Sequence, residues 1–457
     1  MKKLTMLAAT TLVGSLVPTL PAVAGVNVGG NTLIADVVAE NVTHVTNVPG
    51  STGGHASVEG DRLYVGAYGT GMRIFDIANP ADPQVLGDWR PGPQDTGDLG
   101  ARADAVPDAT VMDGRHIVAL GGTSRARGTQ QTEFIDATDP ENLELLHRST
   151  GPEDGEAHNS DIFDRERLWL PSGGRGDFGF RIFDLEPLLA GEAPTRLLNR
   201  NPVTMWEQSP VRERLGRDVG ADFTHTHDLT IYPDHEILLQ PDQWVDQDGD
   251  GDLDPTRGER DIVVLAEGGS YTNDNGNTGS IFIIDITDPT APVVLNRWVK
   301  GTDADADDGH PIRYYHEVQL LEADPSVMFV SDEDLHNGCE AGGISTVRLS
   351  EDLTKATWMA DWFNGPGTPA AVCSVHVFST RGHYVFIGSY NAGLQVLDLS
   401  DPANPVRAGQ FIAPGANSWG ATVHGDHIYV GDFGVRGLDV FRFEPPAAAP
   451  SSFLRYL

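Results

Sequence analysis

Residues 384–411 read YVFIGSYNAGLQVLDLSDPANPVRAGQF, and residues 62–89 read RLYVGAYGTGMRIFDIANPADPQVLGDW. The two stretches share one grammar. A short β-branched and aromatic run meets a small-residue turn. A second run ends in Asp, a turn of the Asp-Pro-x-x-Pro kind follows, and a third run closes the unit. Alternating runs punctuated by turn residues predict antiparallel strands. The prolines fit the turn, because proline cannot donate to a sheet ladder and restricts the residue before it.

The phrase recurs. Residues 279–298 read GSIFIIDITDPTAPVVLNRW, and residues 428–443 read IYVGDFGVRGLDVFRF and then stop. Weaker copies occupy 132–146 and 180–198, and the most degraded lies at 344–362, where Arg348 replaces the terminal Asp. The aspartates that end the second run are Asp76, Asp136, Asp184, Asp285 and Asp398. They are expected to cap turns rather than to catalyse. A further strand precedes each copy. Aligned on the turn after it, these strands begin at His55, Asp108, His158, His227, His316, His376 and Gly420, which makes seven units.

The seventh unit lacks its last strand, while an orphan apolar run at 33–38 precedes the first. Pairing the two leaves no open edge. The expectation is an all-β, seven-bladed β-propeller over 25–445, with an N-terminal strand at 33–40 closing the last blade. The phrase GLQVLDLSDPANP at 393–405 resembles the LVIVD repeat, which builds blades of bacterial extracytoplasmic β-propellers. That resemblance implies the same fold and says little about activity.

The 457 residues include 52 Gly and 30 Pro, which suits short strands and tight turns. Met1-Lys2-Lys3, an apolar run at 4–20 and Ala22-Val23-Ala24 form a secretory leader pattern, with cleavage expected after Ala24. Residues 1–24 are therefore read as a signal peptide and the protein as periplasmic or secreted. No later run is long and apolar enough to span a membrane. The formal net charge of −35 disfavours nucleic acid and anionic lipid. Cys339 and Cys373 are the only cysteines. In an oxidising compartment they suit one disulfide, with thiolate chemistry at Cys373 the alternative. Residues 446–457 read as a flexible tail.

Five of the seven strand-start residues are histidine, in a chain with 15. In a propeller these positions converge on the central channel. Three roles are open: imidazoles that fill the wall by bonding to neighbouring backbone, a transition-metal site, or acid–base work without metal. Neutral imidazole suits Zn and Cu. The candidate ligands are His55, Asp108, His158, His225, His227, His316 and His376. His158, His227, His316 and His376 are the catalytic candidates, and Asp228 and Glu317 beside them could accept a hydrogen bond from a ligating ring or act as a general base only if the local strand bends. HDLTIY at 227–232 and HEVQLL at 316–321 resemble strands of the selenium-binding protein and methanethiol oxidase family, a copper-dependent propeller. That resemblance implies copper, although this chain lacks the family's cysteine signature.

Residues 246–254 read Asp-Gln-Asp-Gly-Asp-Gly-Asp-Leu-Asp. Asp246, Asp248, Asp250 and Asp254 with Gly251 follow the spacing of a calcium loop, whose glycine permits the sharp turn. Arg257 stands where an EF-hand has its bidentate Glu, and Pro255 argues against a following helix. The loop lies in an insertion at about 240–278. A second insertion, at 331–343, carries Asp332, Glu333, Asp334 and His336, and an acidic run occupies 303–308. Both are expected near the His-bearing mouth. Two functions follow: a module binding a small molecule, glycan or protein, or a metal-dependent oxidase, hydrolase or lyase.

Overall fold

A computed structural model describes residues 30–50, 54–67, 71–90, 105–123, 131–149, 157–173, 179–215, 225–268, 279–301, 312, 314–335, 337–433 and 436–446. The leader, the acidic run at 303–308, His336 and residues 447–457 lie outside them. The described strands form seven antiparallel sheets, six of four strands and one of five. The innermost strands are Ala56–Glu59, Val106–Met112, Asn159–Phe163, Thr226–Leu238, Tyr315–Leu321, Phe378–Arg381 and Ser418–His424. Each touches the innermost strand of the next blade, and that of blade seven touches that of blade one, so the ring is closed.

Every seam carries a hydrogen bond made near the axis. Ser57 Oγ donates to the Asp108 carboxylate at 3.0 Å, and the same carboxylate accepts the Ile162 N–H at 2.6 Å. Asn159 Nδ2 donates to the His227 carbonyl and Thr230 Oγ1 to the Val318 carbonyl. Glu317 accepts the Phe378 N–H, Ser379 Oγ accepts the Val423 N–H, and Thr422 Oγ1 donates to the Ala56 carbonyl. Between the sheets, alternate Val, Ile, Leu and Phe side chains pack into buried layers, as the period of two requires.

The strand-end aspartates are turn caps. The carboxylates of Asp76, Asp136, Asp184, Asp285 and Asp398 accept the N–H two residues on, at 2.8–2.9 Å. Arg348, at the corresponding place in blade five, reaches back instead to Asp324 and Ser326.

Closure uses the N-terminal segment, but not the residues expected from the sequence. Val42–Val48 pairs with Leu438–Phe443 and completes blade seven. The apolar run at 33–38 is not the clasp. Val38–Glu40 instead pairs with Val406–Ile412 as a fifth strand on blade six. The chain crosses from one blade to the other at Asn41, whose φ of 52° is tolerable for Asn. Leu33 and Val37 are exposed, whereas Val42 packs among Phe386, Phe411 and Phe443. Burial selects the later run.

Two short helices, Pro202–Glu207 and Pro210–Leu215, link blades three and four. The first two strands of blade four extend into a long hairpin, Thr226–Leu238 with Arg257–Glu267, whose tip carries the aspartate loop. At ~3.3 Å per residue that tip is roughly 35 Å along the strand from His227. The 331–343 insertion leaves blade five at the other end. Asp332 pairs with Tyr315, and Cys339 is disulfide-bonded to Cys373, with Cα atoms 4.8 Å apart.

Candidate metal centre around the propeller axis

The ladder registers decide which innermost residues are equivalent. Opposite the strand-end aspartates, or Arg348, stand Arg62, Ile117, Leu168, Ile262, Val327 and Tyr384. The residues two further on pair with Ser57, Asp108, Asp161, Thr230, Gln319 and Ser379 of the innermost strands. Three residues before those stand Gly54, Ala105, His158, His227, His316 and His376. In blade seven Tyr429 pairs with Thr422, which puts Trp419 in the ring. His55, Asp108 and Gly420 are therefore not equivalent to the four histidines. Asp108 is the strut between blades one, two and three described above. His55 stays electrostatically close to His158.

Neighbouring ring positions touch. The rings of His227 and His316 are 4.2 Å apart, as are those of His316 and His376, and His158 lies 5.7 Å from His227. His227 Nδ1 donates to the His316 carbonyl at 3.0 Å, and His376 Nδ1 donates to the Trp419 carbonyl at 2.9 Å. A carbonyl only accepts, so both Nδ1 atoms hold the proton and both Nε2 atoms carry a lone pair. Burial, reinforced by neighbouring imidazoles, pulls His227 and His316 well below the ordinary histidine range. It brings His376 down to about 3, and His55 and His225 to about 4. These rings are neutral at physiological pH, the form that binds metal.

A carboxylate from the blade-five insertion completes the group. Glu333 is buried, and its N–H donates to the Tyr314 carbonyl at 3.0 Å. Its carboxylate oxygens lie 3.7 Å from His316 Nε2 and from His376 Nε2. Ligand atoms of His316, Glu333 and His376 all fall within 4.8 Å of one another, as do those of His227, Asp228 and His316. Two imidazoles and a carboxylate suit Zn, Cu or non-haem Fe. The Tyr390 hydroxyl donates to Glu333 and so aims its carboxylate. Tyr390 holds a φ of 42°, a left-handed conformation costly for a tyrosine. His225 stands at the edge, with Nε2 2.9 Å from the Tyr314 hydroxyl. Trp419, Tyr390 and Tyr314 form aromatic walls beside His376 and His227.

Next to the imidazoles lies a group of carboxyls. Burial raises Asp108 and Asp228 to about 7. Burial and then the neighbouring carboxyls hold Asp161 and Glu317 well above the usual carboxylate range.

At the tip of blade four, atoms of Asp246, Asp248 and Asp254 fall within 4.8 Å of one another. Asp250 stands outside that group and caps the Asp252 N–H.

Sequence reasoning singled out the histidines and put Glu333 only in an acidic insertion. Tyr390, Tyr314, Trp419 and Asp161 were not singled out. The one sequence signal for Glu333 was an acidic loop six residues before a cysteine that bonds next to His376.

Residues 53–89 and 371–412 match the family model of the LVIVD repeat. No curated protein matches the chain. Among solved structures it is similar to the β-propeller domain of Cps50 (Swd1) from Myceliophteria thermophila, at 12% identity and a TM-score of 0.50, over 88% of this chain and 99% of that one. It is also similar to BamB from Moraxella catarrhalis, at 10% identity and a TM-score of 0.42, over 91% of this chain and 100% of that one. Identity this low speaks to fold alone. The chain is a seven-bladed β-propeller that carries LVIVD repeats, matched at blades one and six.

Proposed function

We propose that this propeller is an extracytoplasmic metal-binding protein that uses a transition-metal ion beside its axis to hold a small-molecule ligand or a partner group. The observation that carries the reading is Glu333 set 3.7 Å from the Nε2 atoms of both His316 and His376, all three buried. Neutral rings and a fixed Nδ1–H at His376 give the lone pair its direction. A bound ion would offset the cost of burying this polar group, and an open coordination position would receive the ligand. The leader pattern supports an address beyond the cytoplasm, as does the Cys339–Cys373 bond. At the tip of blade four, Asp246, Asp248 and Asp254 would take Ca²⁺ and order that hairpin.

A second reading, a metal-dependent enzyme, is favoured by Tyr390. Its strained backbone delivers a phenol to the metal-ligand carboxylate, where a proton donor would serve an oxidase or a lyase.

Elemental analysis of protein purified from its native compartment and washed with EDTA tests the metal reading. Stoichiometric transition metal is expected, with one equivalent lost in His376→Ala and one in Glu333→Gln. Ca²⁺ alone, with no transition metal taken up on reconstitution, would sink it.

A further inference from the structure

The transition-metal reading concerns His316, Glu333 and His376. We infer that a second transition-metal ion binds directly beside the first, held by His227 and Asp228, with His316 standing between the two ions. The inference rests on the metal reading above and extends it to a dinuclear centre.

Three observations carry it. First, His227, Asp228 and His316 form their own group, with ligand atoms within 4.8 Å of one another, and share only His316 with the Glu333 group. Second, His316 is 2% exposed and its Nδ1 has no hydrogen-bond partner, while its Nε2 faces Glu333. A buried ring nitrogen without a partner is costly, and a metal bond removes that cost. One imidazole can bind one ion through each nitrogen once its single N–H proton has left to solvent, so loading the second ion releases one proton from this ring. Third, Asp228 is buried, and among the described residues its carboxylate accepts one hydrogen bond, from the N–H of its own neighbour Leu229. No lysine or arginine pairs with it among the described residues. Asp161 adds a buried Oδ2 without a partner close enough to act on the same carboxyls. Buried carboxyls gathered without a cation are expensive, and a divalent ion is a balancing charge of the right sign.

The donor set defines the ion. His227 commits Nδ1 to the His316 carbonyl and so offers Nε2. Two imidazole nitrogens and one carboxylate oxygen suit Zn²⁺ or Cu²⁺ and disfavour Ca²⁺, which prefers six to eight oxygens.

The test is Zn²⁺ stoichiometry on the metal-free mature protein, by calorimetry and elemental analysis, with excess Ca²⁺ present to occupy the aspartate loop. Two Zn²⁺ per chain are expected, falling to one in Asp228→Asn and to one in Glu333→Gln. His227→Gln stands in should Asp228→Asn fail to fold. Loaded with Cu²⁺, the wild type should give the spin-coupled spectrum of a close pair, and Asp228→Asn that of an isolated ion. One Zn²⁺ in the wild type, unchanged in Asp228→Asn, overturns the second site and leaves the first standing. No Zn²⁺ at all removes both. Two ions retained in both variants would also overturn the assignment.

Discussion

Blades one and six keep the repeat most faithfully, whereas blade five has lost most of it. Blades one and six cap their turns alike, through Asp76 and Asp398, and both match the LVIVD repeat. Blade five replaces the capping aspartate with Arg348 and interrupts its second hairpin with the insertion that begins at Asp332. Yet blade five supplies both His316 and Glu333, while blade one contributes a glycine, Gly54, to the ring. The regular repeat builds the wall and, in blade six, also supplies His376 and Tyr390, while the insertion of degraded blade five adds Glu333. The physical reason is that turn capping and strand pairing are satisfied within one blade, whereas a ligand cluster needs groups from several.

The sharpest way to break this contrast is to release the insertion. Replacing both Cys339 and Cys373 by Ser opens a loop of sequence separation 34. The chain-entropy model gives a loss of about 3–4 kcal/mol, measurable by urea unfolding. Transition-metal affinity should fall in the same variant, because the bond ties the Glu333 loop to the segment before His376. Unchanged affinity would show that the insertion holds Glu333 without the disulfide.

Next in size is a test of whether blade one could ever have carried a ligand. A Cβ on Gly54 would stand 2.4 Å from the Ala105 carbonyl oxygen. Gly54→His should therefore destabilise by overpacking, about 1–3 kcal/mol, with no gain of metal. A stable variant that binds an additional ion would erase the distinction between the two sides of the ring.

The pH dependence of the metal-free protein sharpens the contrast further. The folded His376 titrates near 3 and an unfolded histidine near 6.5. Between those values the unfolded chain holds a proton that the folded one excludes. This group's contribution is thus complete above about pH 6.5 and is lost as pH falls. The slope is about 1.4 kcal/mol per pH unit per histidine. Asp108 and Asp228, raised to about 7, act in the opposite sense, and their contribution is lost as pH rises from about 4 towards 7. In His376→Asn the acid-side loss should flatten by one proton's worth, read from urea midpoints at pH 4.5 and 6.5. An identical slope would mean that His376 is not the buried neutral ring described.

The smallest effect belongs to the turns. Asp76→Ala and Asp398→Ala should each cost about 0.5–1.5 kcal/mol, one hydrogen bond's worth, and leave metal binding untouched. A loss of metal in either would make the wall part of the site.

The blade count, the turn-capping aspartates and the four ring histidines were all legible in the sequence, because each follows from a local pattern: period-two alternation, an Asp-Pro turn, a residue at a fixed place in a repeat. Closure by the N-terminal segment was legible too, since the seventh unit visibly lacked a strand. Which run closes it was not. The 33–38 run is more apolar than the 42–48 run, so composition points to the wrong one, and packing of Val42 against Phe411 and Phe443 decides for the other. The ring itself was misaligned at His55, Asp108 and Gly420. Hairpin lengths differ between blades, and the register shift between Ser418 and Gly420 in blade seven cannot be counted from the turn.

The sequence alone determined how many sheets there are and what ends each strand, because neighbours along the chain fix those choices. Only the tertiary structure decided that Glu333 and Tyr390 meet His316 and His376. Those side chains come from two blades, and closing the ring, not any local preference, sets the distances between them.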